Sequence, residues 1–323
     1  MTACTAVGNY NAGRPGVGAA LIEQWDATGW KMATLPITAN ADLLGVSCRS
    51  SKMCNAVGNY ESGGAELPLV EQLNESSWTV STTPSPSATD SNLDSVSCPS
   101  TVSHTAVGSD GDASGNEVSL ADRWNGTTWA VAPALNAPRA TNTLLEGVSC
   151  ASATACTVVG YAVHNPGPET TVGERMGGIG WSITATRNGT IVSGDSELDG
   201  VSCATTTSCM AVGLFVDSSN AQETLSESWA GAGWTVRRTP NGPDAGNGRL
   251  ISVSCPSTNF CIAVGDYQVS GSFQPSPLAE IWNGTSWSVA STPMPVGATA
   301  GTLQGGVVSL NRVVHRRRLR RNR

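Results

Sequence analysis

The chain has 323 residues, of which 13% are charged and 5% aromatic, and its formal net charge at pH 7 is −7. Seven arginines crowd the segment from Asn311 to Arg323, so the remainder carries −14, a charge that repels nucleic acid and anionic membranes. No run of about 18 apolar residues is present, which excludes a membrane-spanning helix.

The first element already belongs to the middle of a repeat. Met1-Thr-Ala-Cys-Thr-Ala-Val-Gly8 matches Ala153 to Gly160. No charged stretch followed by an apolar one precedes it, so no secretory signal is read here. The start is read as a mid-unit opening or as the loss of an upstream segment.

Six units follow, of the form L-x-G-V-S-C-x5-C-x-A-V-G-x-Y, a variable stretch, then E-x-W-N-G-x-x-W-x-V-x-x-T-P. They run approximately over 1–42, 43–92, 93–143, 144–197, 198–249 and 250–302. The first cysteine of a unit is Cys48, Cys98, Cys150, Cys203 or Cys255. The second is Cys4, Cys54, Cys156, Cys209 or Cys261, with His104 in its place in the third unit. A tryptophan closes each unit, at Trp30, Trp78, Trp129, Trp181, Trp234 and Trp287. A period of about 50 residues marks a repeat architecture.

Within a unit, Leu250 to Cys255, Cys261 to Gly265, Leu278 to Trp282 and Trp287 to Ala290 are short apolar or β-branched runs separated by turn-formers. Four strands per unit and no helical periodicity give an all-β, six-bladed β-propeller. Asn-Gly before the closing tryptophan predicts a type I′ hairpin turn. That turn would pair Trp124 with Thr127, set Asp122 opposite Trp129 and make the two tryptophans diagonal neighbours. The sequons at Asn74, Asn125, Asn188 and Asn283 mostly coincide with Asn-Gly turns and are assigned to turn chemistry rather than glycosylation. An acid recurs before each turn, as Glu23, Glu71, Asp122, Glu174, Glu227 and Glu280. A group common to all six units is expected to hold blades together, since an active site is singular. Leu303 to Leu310 echoes the start of a unit and is expected to close the first blade, with Val307 near Ala6. Residues 311–323 are expected to be a basic disordered tail, read as out-of-frame translation or a degraded further unit.

Gly58-Asn-Tyr60 followed by Trp78 resembles kelch-type and galactose-oxidase-like propeller repeats, and the whole pattern is closer still to repetitive secreted proteins of high-GC bacteria. One glycine stands where kelch has two, and the cysteine pair is an addition. The resemblance implies a propeller.

The pairs Cys48/Cys54, Cys150/Cys156, Cys203/Cys209 and Cys255/Cys261 each flank a predicted hairpin turn, which places them within disulfide reach across antiparallel strands. Buried thiols and a metal site are the alternatives. Disulfides imply an oxidising compartment, hence an extracellular or cell-surface location. Asp110, Asp112, Ser114 and Glu117 resemble the opening of a calcium loop, with a solvated polar loop as the alternative. His104, His164 and His315 form no nucleophile–base arrangement, so no catalytic residue is assigned.

The loops between the second and third strands differ in every unit. Tyr60, Tyr161, Phe215 and Tyr267 near their starts are candidate binding residues. The expectation is a monomeric, non-catalytic binding scaffold for a glycan or protein ligand. The alternative is a carbohydrate-active or lyase-type enzyme using the same loops.

Overall fold

The computed structural model describes residues 3–11, 18–37, 39–87, 90–177, 180–187, 194–309 and 312–315. The chain is all-β, with no helix among these residues, and its strands form the successive antiparallel meanders of a β-propeller. The first sheet joins β1 (Cys4–Asn11), β2 (Gly18–Trp25) and β3 (Trp30–Met32). The second joins β4 (Ala41–Ser50), β5 (Met53–Ser62), β6 (Ala65–Asn74) and β7 (Ser77–Val80). The third joins β8 (Ser91–Ser100), β9 (Ser103–Gly111), β10 (Glu117–Trp124) and β11 (Trp129–Val131). The fourth joins β12 (Asn142–Ser152), β13 (Ala155–Val163), β14 (Thr170–Gly177) and β15 (Gly180–Thr184). The fifth joins β16 (Ser196–Thr205), β17 (Ser208–Val216), β18 (Gln222–Trp229) and β19 (Trp234–Val236). The sixth joins β20 (Ala245–Ser257), β21 (Phe260–Val269), β22 (Pro275–Trp282) and β23 (Trp287–Ala290).

By internal packing the chain divides into two units, Met1–Cys156 with Met176–Ser182, and Thr157–Arg175 with Ile183–Arg323. The first three sheets lie in the first unit, the fifth and sixth in the second.

The expected closing strand takes another partner. β24 (Gly306–Ser309) pairs with β25 (Arg312–His315), Val307 opposite Val314 and Val308 opposite Val313, and the first sheet has three strands among the described residues. Two β-branched pairs a few residues apart form a local hairpin at much lower loop-closure cost than a pairing across the whole chain. Arg312–His315 of the expected tail is therefore strand. Leu310, Asn311 and 316–323 lie outside the described residues, as does Asn188.

Two features of the repeat have direct steric causes. After the buried leucine of the first strand the ladder slips by one residue, between Leu43 and Gly45, Leu93 and Ser95, Leu198 and Gly200, and Leu250 and Ser252. The bulge pushes a carbonyl onto the second strand. A Cβ on Gly58, Gly108, Gly213 or Gly265 would overlap the backbone oxygen of Asp42, Asn92, Glu197 or Arg249 respectively, so those positions require glycine.

The hairpin before the closing tryptophan differs from expectation. Trp124 pairs directly with Trp129, and Asp122 with Val131. Gly126 has φ +101°, whereas Asn125 is not among the residues with positive φ, so the turn is not type I′. Instead Asn125 Oδ1 accepts from the amides of Thr127 at 2.9 Å and Thr128 at 3.0 Å, closing a four-residue Asx loop. Asn283 does the same with Thr285 and Ser286, and Asp26 with Thr28 and Gly29. Tryptophans therefore face each other across the ladder, with ring centroids 5.7 or 5.8 Å apart in four sheets.

Neighbouring sheets are strapped together by the repeat's own polar side chains. Ser47, Ser97 and Ser202 hydroxyls accept from the backbone amides of Cys98, Cys150 and Cys255 in the following sheet. The recurring acid of the third strand is buried and reaches the linker before its own sheet. Glu71 accepts from the Ile37 amide, Asp122 from the Thr83 hydroxyl and Glu227 from the Arg187 amide. Burial pushes Glu71 up to about 7, Asp122 to about 6 and Glu227 to about 8. Glu280 is also raised by burial to about 8. Both of its oxygens lack a hydrogen bond, although the Asn241 amide favours the ionised form. These acids support the assembly of blades, as their repetition implies.

Candidate functional site

The four expected disulfides are present, Cys48–Cys54, Cys150–Cys156, Cys203–Cys209 and Cys255–Cys261, with Cα separations of 3.9 to 4.1 Å. Each staples the first hairpin of its sheet and holds rigid the strands that carry the variable loops. In the third sheet Cys98 is a buried thiol, raised to about 11 chiefly by burial.

The candidate aromatics lie in strands, at the rim of the core. Tyr60, Phe215 and Tyr267 each stand two residues after the repeated glycine and are half-buried. Tyr60 packs on the core of the second sheet, Phe215 on that of the fifth and Tyr267 on that of the sixth. Tyr161 follows Gly160 directly, so strand alternation turns it to the other face.

The residues of the calcium-like loop have separate partners. Asp110 is 6% exposed and accepts from Ser87 at 2.7 Å and from Ser91. Asp112 accepts from the Asn116 side-chain amide at 3.0 Å and from the backbone amides of Asn116 and Ser114 at 2.9 and 2.7 Å, and these bonds lower its pKa. Ser114 and Glu117 are exposed, and Glu117 opens β10. Asp217 holds Ser219 and Ala221 in the same way in the corresponding loop of the fifth sheet, so the motif is a loop-closing device that recurs. Among the described residues no group of three or more His, Cys, Asp or Glu is placed to hold a metal ion.

Acids gather instead at the end of the sheets that bears the loops between second and third strands. In the first unit Glu66 opens the third strand beside Asp90, with which it forms an isolated parallel bridge. Its pKa is raised by burial and by Asp90, Asp42 and Glu117. Asp94 occupies the bulge of β8 and is pushed up to about 8 by burial, then by Glu146, Glu66 and Glu117, against the stabilising Asn92 amide at 3.1 Å. In the second unit Glu169 is raised to about 7 by burial, by its hydrogen bond with Glu197 and by Asp195. Two carboxyl groups in hydrogen-bond contact share a proton.

The bulge position carries Leu44, Asp94, Glu146, Asp199 and Ile251 in successive units. It varies inside a strand whose leucine, valine, serine and cysteine repeat, and that irregularity is the signal by which the sequence could have disclosed this acidic end. The opposite end, formed by the turns after the first and third strands, carries Lys31, Arg49, Lys52, Arg123 and Arg175. At that end Lys31 and Lys52 pair with Asp26 and Glu75, while Arg249 stands at the loop end of the sixth sheet near Asp199.

No family model matches the chain, and no curated protein matches it. Among solved structures it is similar to YCF48 from Cyanidioschyzon merolae, at 11% identity and a TM-score of 0.49, over 94% of this chain and 95% of that one. YCF48 bound to D1 peptide matches at 10% identity and 0.46, over 90% and 84%. YjhT matches at 11% and 0.49, over 88% and 96% of the respective chains. At such identity these likenesses assign neither ligand nor activity.

Proposed function

We propose that the chain is a non-catalytic β-propeller that binds a cationic protein or peptide partner at the acidic loop end, outside the cell or at its surface. The observation that carries this reading is the gathering of Glu66, Asp90, Asp42 and Glu117 with Asp94 and Glu146 at one end, where these acids add to burial in raising Glu66 and Asp94. A lysine- or arginine-rich segment arriving there relieves that repulsion and gains charge-assisted hydrogen bonds. The disulfide-stapled hairpins supply the rigid frame, and four disulfides accord with an oxidising compartment.

The test is titration of the protein with a fluorescent Arg/Lys-Gly peptide and with its Glu-Gly counterpart, at low and at high salt. Binding of the basic peptide should weaken by about tenfold or more between 50 and 300 mM salt, and in Glu66→Gln and Asp94→Asn. Equal binding of the acidic peptide, or no dependence on salt, refutes the reading.

A second reading rests on Asp94, a carboxylic acid kept neutral near other carboxylates, the environment of a glycosidase acid. Glycan hydrolysis lost in Asp94→Asn would favour it.

A further inference from the structure

The residue after the recurring buried acid of the third strand differs among units. It is Arg123 in the third sheet and Arg175 in the fourth. Both arginines reach the turn of the following sheet. Arg123 Nη2 donates to the Ala153 carbonyl at 2.8 Å. Arg175 Nη2 donates to the Thr206 carbonyl at 2.7 Å and Nη1 to Thr157 Oγ1 at 2.6 Å, while its guanidinium lies 4.5 Å from the centre of the Trp229 ring. In each case a long cationic side chain fills the gap between neighbouring sheets.

In the fifth sheet the same position is Ser228, and a cleft of about 150 Å³ opens between the fifth and sixth sheets. Trp282 and Thr258 line it where Trp229 and Thr206 meet Arg175 one sheet earlier. A different arginine attends the cleft. Arg237 follows β19, and its Nε donates to Ser228 Oγ at 2.7 Å with its guanidinium carbon 6.0 Å from the Trp282 ring centre. Its Nη1 and Nη2 have no hydrogen-bond partner among the described residues. The Trp229 indole N–H, on the cleft wall, is buried and lacks an acceptor.

A cleft with these groups asks for acceptors. The free fork of a guanidinium matches a carboxylate in two parallel hydrogen bonds, and its charge turns cations away. Trp282, 6% exposed and beneath the Arg237 guanidinium, contributes a strip of apolar wall, while Ser202, Ser208 and Thr258 add hydroxyl groups. A volume of about 150 Å³ is of the order that holds a single six-membered ring. We propose that this cleft is a subsite for one acidic sugar unit, a hexuronate whose carboxylate is held by Arg237 and whose ring enters between the Trp282 wall and the hydroxyl groups. It stands on the fifth and sixth sheets at the turn-bearing end, and is independent of the acidic loop end.

The chain supplies its own control. Ser228→Arg recreates the plug found in the third and fourth sheets and should fill the cleft without loss of fold, checked by an unchanged or raised melting temperature. Arg237→Gln keeps the cleft and removes the charge. Tryptophan fluorescence and saturation-transfer NMR on the full chain should detect glucuronate. Both variants should weaken that binding by about tenfold or more, and glucose or acetate should bind the unaltered protein about tenfold more weakly than glucuronate. Failure of the unaltered protein to bind glucuronate, or equal binding by folded Ser228→Arg, overturns the subsite. Equal binding of glucose removes the carboxylate from the argument, and equal binding of acetate removes the ring. Either result also overturns the proposal.

Discussion

Asn55 in β5 holds its side-chain nitrogen 3.0 Å from Nδ1 of His104 in β9, and the same nitrogen lies 3.3 Å from Cys98 Sγ. The two side chains share a buried hydrogen bond between neighbouring sheets. Burial lowers the pKa of His104, against the Ser100 carbonyl, and Trp124 stacks on it at 6.2 Å and 12°. This arrangement stands where the second, fourth, fifth and sixth sheets carry a disulfide.

His104→Cys should therefore form a fifth hairpin disulfide with Cys98. Closing so short a loop contributes about 2 kcal/mol on the chain-entropy account, offset by about 1 kcal/mol for the lost Asn55 hydrogen bond. Maleimide labelling of the unfolded, unreduced variant checks it, and Cys98 should no longer react. Labelling at both 98 and 104 would show that the hairpin cannot accept the bridge.

The buried acids give stability an uncommon pH dependence. Burial pushes Glu227 and Glu280 up to about 8 and Glu71 to about 7 in the folded state, against about 4.5 for a solvated glutamate. A raised folded pKa means that the folded state binds the proton more tightly, so stability is fully present below about 4.5 and is lost as pH rises towards 8. The melting temperature should fall by several degrees between pH 5 and 8, and Glu227→Gln should flatten the slope. A melting temperature that rises over this interval would mean these carboxylates ionise without cost.

Glycine at the repeated position of the second strand should matter in one sheet and not in another. Gly58→Ala drives a methyl group into the Asp42 carbonyl and should destabilise by about 2 kcal/mol or more. Gly8 occupies the same repeat position in the first sheet, where a Cβ meets nothing within 4 Å. Gly8→Ala should be silent in chemical denaturation, and equal losses for the two variants would contradict the local geometry.

Much of the blade was legible because it is written in covalent spacing and periodicity. The cysteine spacing placed four bridges, and the recurrence of Glu71, Asp122, Glu227 and Glu280 marked them as structural. What escaped depended on competition between nearly equal local choices. Asn-Gly suits a two-residue turn, yet the Asn125 carboxamide satisfies two amides in a longer loop and moves the ladder by two residues. Leu303–Leu310 matched the first strand of a unit, but Val313 and Val314 lay closer along the chain. The acidic end and the Ser228 cleft depend on which side chains neighbouring sheets bring together, and spacing within one unit does not encode that.

The serine straps bear on how the protein avoids its own kind. The first strand of each sheet is an edge, with backbone amides that would otherwise recruit another extended chain. Ser47, Ser97 and Ser202 occupy the amides of Cys98, Cys150 and Cys255. Ser95 occupies that of Val148. A chain built from near-identical β-sheets is a natural candidate for cross-pairing between copies, and these hydroxyls occupy donors that such pairing would use.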